Sequence, residues 1–446
     1  MSRDNFGSRF GVLVAMAGSA VGLGNLWRFP YLVGTNGGAA FIIIYLVFVF
    51  LLCIPIMYAE FIIGRRSEAN AFGAFRVLAP GSKWSVIGLL GVFAAISILA
   101  FYSVVGGWTI DYIAKAFMFK FDITNTTELE TMFSNSVSST FEPILYMSIF
   151  LILTGLIVIA GVKQGIEKYT KLMMPLLFFL VIIIAVRSVT LPNSMEGLSF
   201  LFKPDFSKVT ASTFLDALGQ AFFSLSLGCG CILTYGSYVK KDENIVKTSV
   251  YTSVADTLFA IIAGLAIMPA VFSFGISPSE GPGLVFVTLP LVFAQIPMGG
   301  LLAILFFFIL FFAAITSSIS LLEVIVAYMI EELKIKRIPS VIISLIFIFF
   351  LSSLCSLSQG TLADVKILGV TFFDFFDGLS ANVLMPVGGF LTVVFVGWRL
   401  GKANFKDEIT SKGYVRLQEW FVNFTYFTIK YIAPIVISVI LVRGFI

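Results

Sequence analysis

The chain has 446 residues, 59% hydrophobic and only 12% charged, with a net charge of +4 and a mean hydropathy of +1.01. Soluble chains carry about a quarter charged residues, so there is too little polar material here to cover a surface in water, and a polytopic membrane protein is expected. Disorder, an outer-membrane barrel of alternating strands and a nucleic-acid partner are excluded with it, and the absence of His removes imidazole metal sites and His-based proton relays.

Apolar runs long enough to cross about 30 Å of hydrocarbon fall at 10–33, 40–63, 85–117, 143–161, 169–187, 214–238, 246–273, 299–329, 338–357, 378–399 and 420–442. Eleven spans are therefore expected. Cys53, Cys229, Cys231 and Cys355 lie within apolar stretches and read as packing residues, with no disulfide framework. Twenty of the 29 basic residues fall on the side that carries the N-terminus. The positive-inside rule puts that terminus in the cytoplasm and, with an odd span count, the C-terminus outside. A plasma membrane is the expected location.

Spans one and six share an oddity. The first contains Gly18-Ser19-Ala20-Val21-Gly22-Leu23-Gly24-Asn25 and the sixth Ser224-Leu225-Ser226-Leu227-Gly228-Cys229-Gly230. Both place poor helix formers in mid-span, where unwound backbone is tolerated only if buried in protein or lining a cavity. Close packing of small residues explains either segment alone. Two of them, five spans apart, point to a transporter built from inverted repeats with discontinuous helices. The expected organisation is a cytoplasmic segment 1–9, a five-helix repeat 10–187, an extracellular connection 188–213, a second repeat 214–399, and a cytoplasmic loop with an eleventh helix at 400–446. The fold class is all-α, with a 5+5 inverted repeat and breaks in helices 1 and 6.

The first segment continues as Leu26-Trp27-Arg28-Phe29-Pro30 and then Asn36-Gly37-Gly38-Ala39-Ala40-Phe41. Together with Pro55, Glu60 and Gly64, Phe101, Tyr102 and Trp108, the stretch Gln220 to Gly228, Tyr235-Gly236-Ser237-Tyr238 and Ala313 to Ser318, it resembles the neurotransmitter:sodium symporter family and its LeuT-type fold. The resemblance covers residues 3 to about 400, and eleven spans resemble a bacterial branch. It implies a secondary transporter and no enzyme, with two Na⁺ ions and an amino acid as cargo and the lipid bilayer as its surroundings.

One sodium site, by this resemblance, uses the carbonyls of Gly18, Val21 and Ala313 with the hydroxyls of Thr316 and Ser317. The other uses the Ala20 carbonyl, Asn25, Ser224 and a residue of span seven. The family usually has Asn at that last position, where this chain has Asp256. A carboxylate in a membrane span costs at least about 2.5–3.5 kcal/mol and marks function by default. Chloride-dependent relatives balance sodium with a bound anion, and Asp256 supplies that charge covalently, so chloride-independent transport is expected. Glu60 resembles the family carboxylate that supports the unwound helices.

The breaks offer backbone N–H groups and positive helix ends to a carboxylate, joined by Tyr102. The substrate-binding set implied is Ser19, Ala20, Gly22, Gly24, Ile98, Tyr102, Phe223, Ser224, Ser226, Cys229, Ser320 and Leu321. Gly22 stands where monoamine transporters carry Asp, which argues for an amino acid over a monoamine. The uncharged lining favours a hydrophobic or aromatic side chain, and Cys229 leaves more room than the Phe of some leucine-preferring relatives. Arg28 with Asp377 forms the implied outer gate above Tyr102 and Phe223, with Asp374 a competing partner. Arg3 with Glu331 near Tyr238 forms the inner one. The Gly- and Pro-rich stretch 274–299 reads as an external lid, and Gly165 with Pro175 as a weak stretch of span five. An amino-acid sensor on the same scaffold stays open as an alternative. A channel fits less well, because no filter sequence or ring of pore charges is present.

Overall fold

A computed structural model describes residues 6–118, 125–275, 284–294 and 297–445. Among them there is no β-strand, only an isolated bridge between Ile367 and Val370. Nine helices among the described residues are long and apolar enough to cross a membrane: Ala39–Ser67, Ser85–Phe117, Glu142–Ile159, Val162–Val189, Ile245–Ser273, Gly299–Glu331, Arg337–Leu357, Phe372–Ile409 and Glu419–Val442. A further span is the pair Arg9–Ala20 and Gly24–Thr35, bent by 45°. The expected sixth span is represented by Ala211–Ser224 and Cys231–Gly236, separated by six residues that are not helical.

Both interruptions fall where the sequence is richest in Gly and hydroxyl residues. In the first span the helix starts at Ser8, whose hydroxyl accepts the Gly11 N–H, and stops when Val21 turns extended (φ −72°, ψ 101°). In the sixth, Ser226, Gly228 and Gly230 all have left-handed backbone (φ 52°, 76° and 79°), which a helix cannot continue through. The longest helices, Ser85–Phe117 and Gly299–Glu331, have 33 residues each and pack along one another, forming a rigid wall beside the breaks.

Several elements lie outside the expected spans. Ala71–Leu78, Thr126–Ser138 and Ser194–Phe202 are helices in connections. The stretch expected as a lid also holds a helix, Leu289–Ala294. Just before that helix, Phe286 stacks on Phe133 and meets Trp108 and Tyr112 edge-on. Residues 276–283 and 295–296 of that stretch lie outside the described residues. In span five the helix begins earlier than expected, as a π-helical segment Val162–Glu167 containing Gly165, while Pro175 is absorbed inside the helix Lys168–Val189.

Candidate functional site

The two breaks face each other. The Ser226 hydroxyl donates to the Ser19 carbonyl at 2.7 Å, and the Gln220 amide donates to the Gly24 carbonyl at 2.9 Å. Glu60, 2% exposed, accepts the Gly228 N–H at 2.6 Å and so caps the unwound segment of the sixth span. A charge-assisted bond of this kind is stronger than a neutral one, which suits a carboxylate holding irregular backbone inside the protein.

A small cavity between the breaks is lined by Ser19, Ala20, Gly22, Gly24, Ile98, Tyr102, Phe223, Ser226, Cys229, Ser317, Leu321 and Met385, none of them charged. Its free space is about 20 Å³, room for little more than one water. The Tyr102 hydroxyl accepts the Leu23 N–H at 3.1 Å, occupying one of the donors that the break directs inward. Ten of the twelve residues expected around a substrate line this cavity. The other two do not. Ser224 directs its hydroxyl to Asp256, while Ser320 accepts from the Tyr235 hydroxyl at 2.8 Å and donates back to the Thr316 carbonyl. Ser317 and Met385 take part instead.

Beside the cavity, Asp256 is fully buried and held from three elements. It accepts from the Asn25 amide at 2.8 Å, from the Ser224 hydroxyl at 2.9 and 2.8 Å, and from the Tyr45 hydroxyl at 3.2 Å. Tyr45 was not anticipated; it is one of two tyrosines in the apolar run of span two, with Tyr58, and nothing in the sequence sets it apart. The Asn25 carbonyl oxygen turns the other way, accepting the Gly22 N–H at 3.0 Å, so this side chain joins the first break directly to the carboxylate.

Across the first span, Ser317 donates to the Gly18 and Ser19 carbonyls at 3.5 and 3.3 Å. Thr316 lies against Gly18 and donates to the Phe312 and Ala313 carbonyls at 2.9 and 3.2 Å. This is the back-bonding common for hydroxyls in membrane helices. It spends the hydroxyl proton and leaves the oxygen lone pairs free to meet a cation. Gly18, Ala313, Thr316 and Ser317 are thereby gathered at the level where Val21 leaves the helix.

At one end of the cavity the Arg28 guanidinium sits 5.4 Å from the Phe223 ring centroid, and one of its buried nitrogens has no hydrogen-bond partner among the described residues. Asp377 and Asp216 both feel its charge, yet among the described residues no ion pair joins Arg28 to either. Asp374 is taken by the Thr371 hydroxyl at 2.7 Å. At the opposite end Arg3 lies outside the described residues. Glu331 accepts from the Asn70 backbone N–H and amide at 2.7 and 3.0 Å, and Tyr238 donates to Glu323, which is paired with Arg337.

What seals this end is Phe6, which meets Tyr235 and Tyr238 edge-on at 5.7 and 6.4 Å. Its backbone N–H donates to the Tyr238 carbonyl, while Gly7 and Ser8 are held by Glu167. Edge-on aromatic pairs are worth about 0.5–1.5 kcal/mol each. Phe6→Ala is therefore expected to shift the carrier several-fold, about 1 kcal/mol, toward the form open at this end. Faster labelling of a cysteine placed at the buried Val239, which leaves both tyrosines in place, measures it.

Two mid-span breaks facing each other across an uncharged cavity, with a carboxylate, amide and hydroxyl cluster at its edge, are the architecture of a secondary transporter. The model of the Sodium:neurotransmitter symporter family matches residues 3–132 and 126–446, and the chain belongs to that family. It is a membrane-embedded, sodium-dependent symporter and not an enzyme. Among its relatives, the uncharacterised sodium-dependent transporter YhdH of Bacillus subtilis is 40% identical over 97% of this chain and 96% of its own length. A sodium-dependent transporter of Haemophilus influenzae is 38% identical over 99% and 98%. Among solved structures, MhsT in complex with L-phenylalanine superposes with a TM-score of 0.94 at 42% identity, covering 99% of this chain and 100% of the other.

Proposed function

We propose that this symporter imports neutral hydrophobic or aromatic amino acids, with two Na⁺ ions per substrate and no chloride, by alternating access across a bacterial plasma membrane with its N-terminus inside. The observation that carries the reading is the uncharged cavity bounded by two opposed helix breaks. It offers backbone donors and Tyr102 to a carboxylate, carbonyls and Ser226 to an ammonium, and only apolar surface or Cys229 to a side chain. The similarity to MhsT, whose structure holds L-phenylalanine, supports the same class. A sensor or channel has no comparable support from the site.

The cavity in this structure is smaller than any such substrate. Tyr102, Phe223 or Met385 must withdraw to admit one, and the Leu23 N–H is freed when Tyr102 does so. One Na⁺ would be held by the Ala20 carbonyl, Asn25, Ser224 and Asp256, the Asn25 amide turning to offer its oxygen. The other would be held by the Gly18, Val21 and Ala313 carbonyls with Thr316 and Ser317. Arg28 with Asp377 and Arg3 with Glu331 would close the two ends in turn, the two five-helix halves moving as inverted copies. Two charges crossing 100 mV supply about 4.6 kcal/mol before the gradient is counted, enough for roughly thousandfold accumulation of a zwitterion.

The test is uptake into proteoliposomes under an inward Na⁺ gradient, with a panel of amino acids and monoamines. Large apolar and aromatic amino acids are expected to be accumulated and monoamines left outside; equal uptake of a monoamine contradicts the proposal. Cys229→Phe is expected to raise KM for aromatic amino acids about tenfold while sparing alanine. Forcing a ring into a packed wall costs about 1–3 kcal/mol. Competition against labelled substrate reads the change.

A further inference from the structure

Hydroxyls inside membrane helices ordinarily donate to a carbonyl three or four residues back. In this chain Thr154, Thr170, Thr316 and Ser344 all do so. In the helix Ile245–Ser273 the last serine does so too, but four others do not, whereas among the described residues no other helix holds more than one buried Ser or Thr hydroxyl without a partner. The four, Ser249, Thr252, Ser253 and Thr257, are at most 4% exposed, yet none of their hydroxyls has a hydrogen-bond partner among the described residues. At about 100° per residue they share with Asp256 a single helix face of roughly 140°. Buried polar groups left unpaired in a native fold call for an explanation, such as water or an ion reaching them.

The face runs from Asp256 toward the helix end that also carries the first residues of the chain. There Thr248 donates to the Glu243 carboxylate at 3.3 Å, and Glu243 meets Arg9 at 3.4 Å. These residues open into a broad surface recess lined also by Asp242, Asn244 and Lys247. Carboxylates, hydroxyls and the buried Asp256 thus follow one another along about 20 Å of helix, at 1.5 Å per residue. Asp256 is consequently flanked on one side by the substrate cavity, through Asn25, and on the other by a polar track that does not pass through it.

We propose that this hydroxyl face is a water-admitting route along which a hydrated monovalent cation passes between Asp256 and the recess at Arg9, independently of the substrate cavity. The inference rests on the reading of Asp256 as a sodium site. In the packed state the hydroxyls lack partners; when the helix parts from its neighbours, water and the cation satisfy them in succession. At the mouth Asp242 and Glu243 are matched by Arg9 and Lys247, so the preference for a cation over an anion comes from Asp256 at the inner end.

Single cysteines at Ser249, Ser253 and Ala263 test the route in proteoliposomes of the full chain. A small cationic methanethiosulfonate is added on the face bearing Arg9, and labelling is read by mass on the peptide with the new cysteine. Ala263, fully buried two turns beyond Asp256, is the control. Labelling at Ser249→Cys and Ser253→Cys is expected to run roughly tenfold faster than at Ala263→Cys, since thiols sealed in apolar surroundings are inert, and to slow when Na⁺ is added. Equal rates at all three positions, or labelling only from the opposite face, overturn the route. Thr252→Val, nearly isosteric, is expected to lower turnover severalfold with the equilibrium Na⁺ affinity unchanged. Unchanged turnover, or a loss of affinity instead, overturns it too. Wild-type Na⁺-driven uptake in the same vesicles separates the outcomes: uptake without labelling sinks the route alone, and uptake that fails in sodium gluconate sinks the reading of Asp256.

Discussion

Asp256→Asn is expected to weaken Na⁺ binding by two to three orders of magnitude and to leave the remaining uptake dependent on chloride. The carboxylate is fully buried and receives the Asn25 amide and the hydroxyls of Ser224 and Tyr45. The substitution keeps the shape of the side chain but removes its charge, so an entering cation meets only dipoles. Removing one partner of a buried charge pair costs about 3–5 kcal/mol, and 1.4 kcal/mol is a factor of ten. The amide also brings two donors to a position where Asn25, Ser224 and Tyr45 already donate. An anion drawn into that group of donors would restore the missing charge, which is why chloride should recover part of the activity. Sodium titrations of substrate binding, with chloride or gluconate as the only anion, measure both effects. Wild-type sodium affinity in the Asp256→Asn carrier would remove Asp256 from the site.

Gly228→Ala is expected to lower stability by about 2–5 kcal/mol, combining a left-handed residue without glycine's freedom with a steric overlap. Gly228 has φ 76°, and a Cβ there would stand 2.0 Å from the Met385 carbonyl oxygen. That atom is backbone of the tenth span and cannot rotate away. Any shift that relieved the overlap would pull the Gly228 N–H from Glu60, where it now donates at 2.6 Å. The variant should melt at a markedly lower temperature in detergent and bind substrate weakly. Gly81→Ala is the matched control. Gly81 is also left-handed (φ 73°), but nothing lies within 4 Å of its Cβ position. If both variants melted alike, the close approach of spans six and ten would carry no weight.

The breaks were legible because their chemistry is local. Gly, Ser and Asn in mid-span disfavour a helix wherever they occur, and the structure interrupts both helices inside the two segments the sequence singles out. Asp256 was legible because a carboxylate in an apolar run is costly. Its surroundings were not: Tyr45 comes from span two, more than 200 residues away, and only folding brings its hydroxyl within 3.2 Å. Ser320 turned away from the cavity for a reason of the same kind. It lies about 100° from Leu321 on the helix, and the buried Tyr235 hydroxyl required a partner there. Met385 joined the lining because span ten approaches Gly228 so closely, which no spacing within span ten reveals. Phe6 escaped notice since one aromatic residue in a short polar segment has no pattern; its role depends on Tyr235 and Tyr238. The short helices in the connections, such as Ala71–Leu78, carry too few residues to show a periodic signal.

The most direct test of the account is initial uptake of a transported amino acid into proteoliposomes under a Na⁺ gradient, with chloride replaced by gluconate on both sides. A buried carboxylate that supplies the balancing charge predicts an unchanged rate in gluconate and loss of uptake when Na⁺ is replaced by K⁺. Uptake that disappears in gluconate while sodium is present would contradict it.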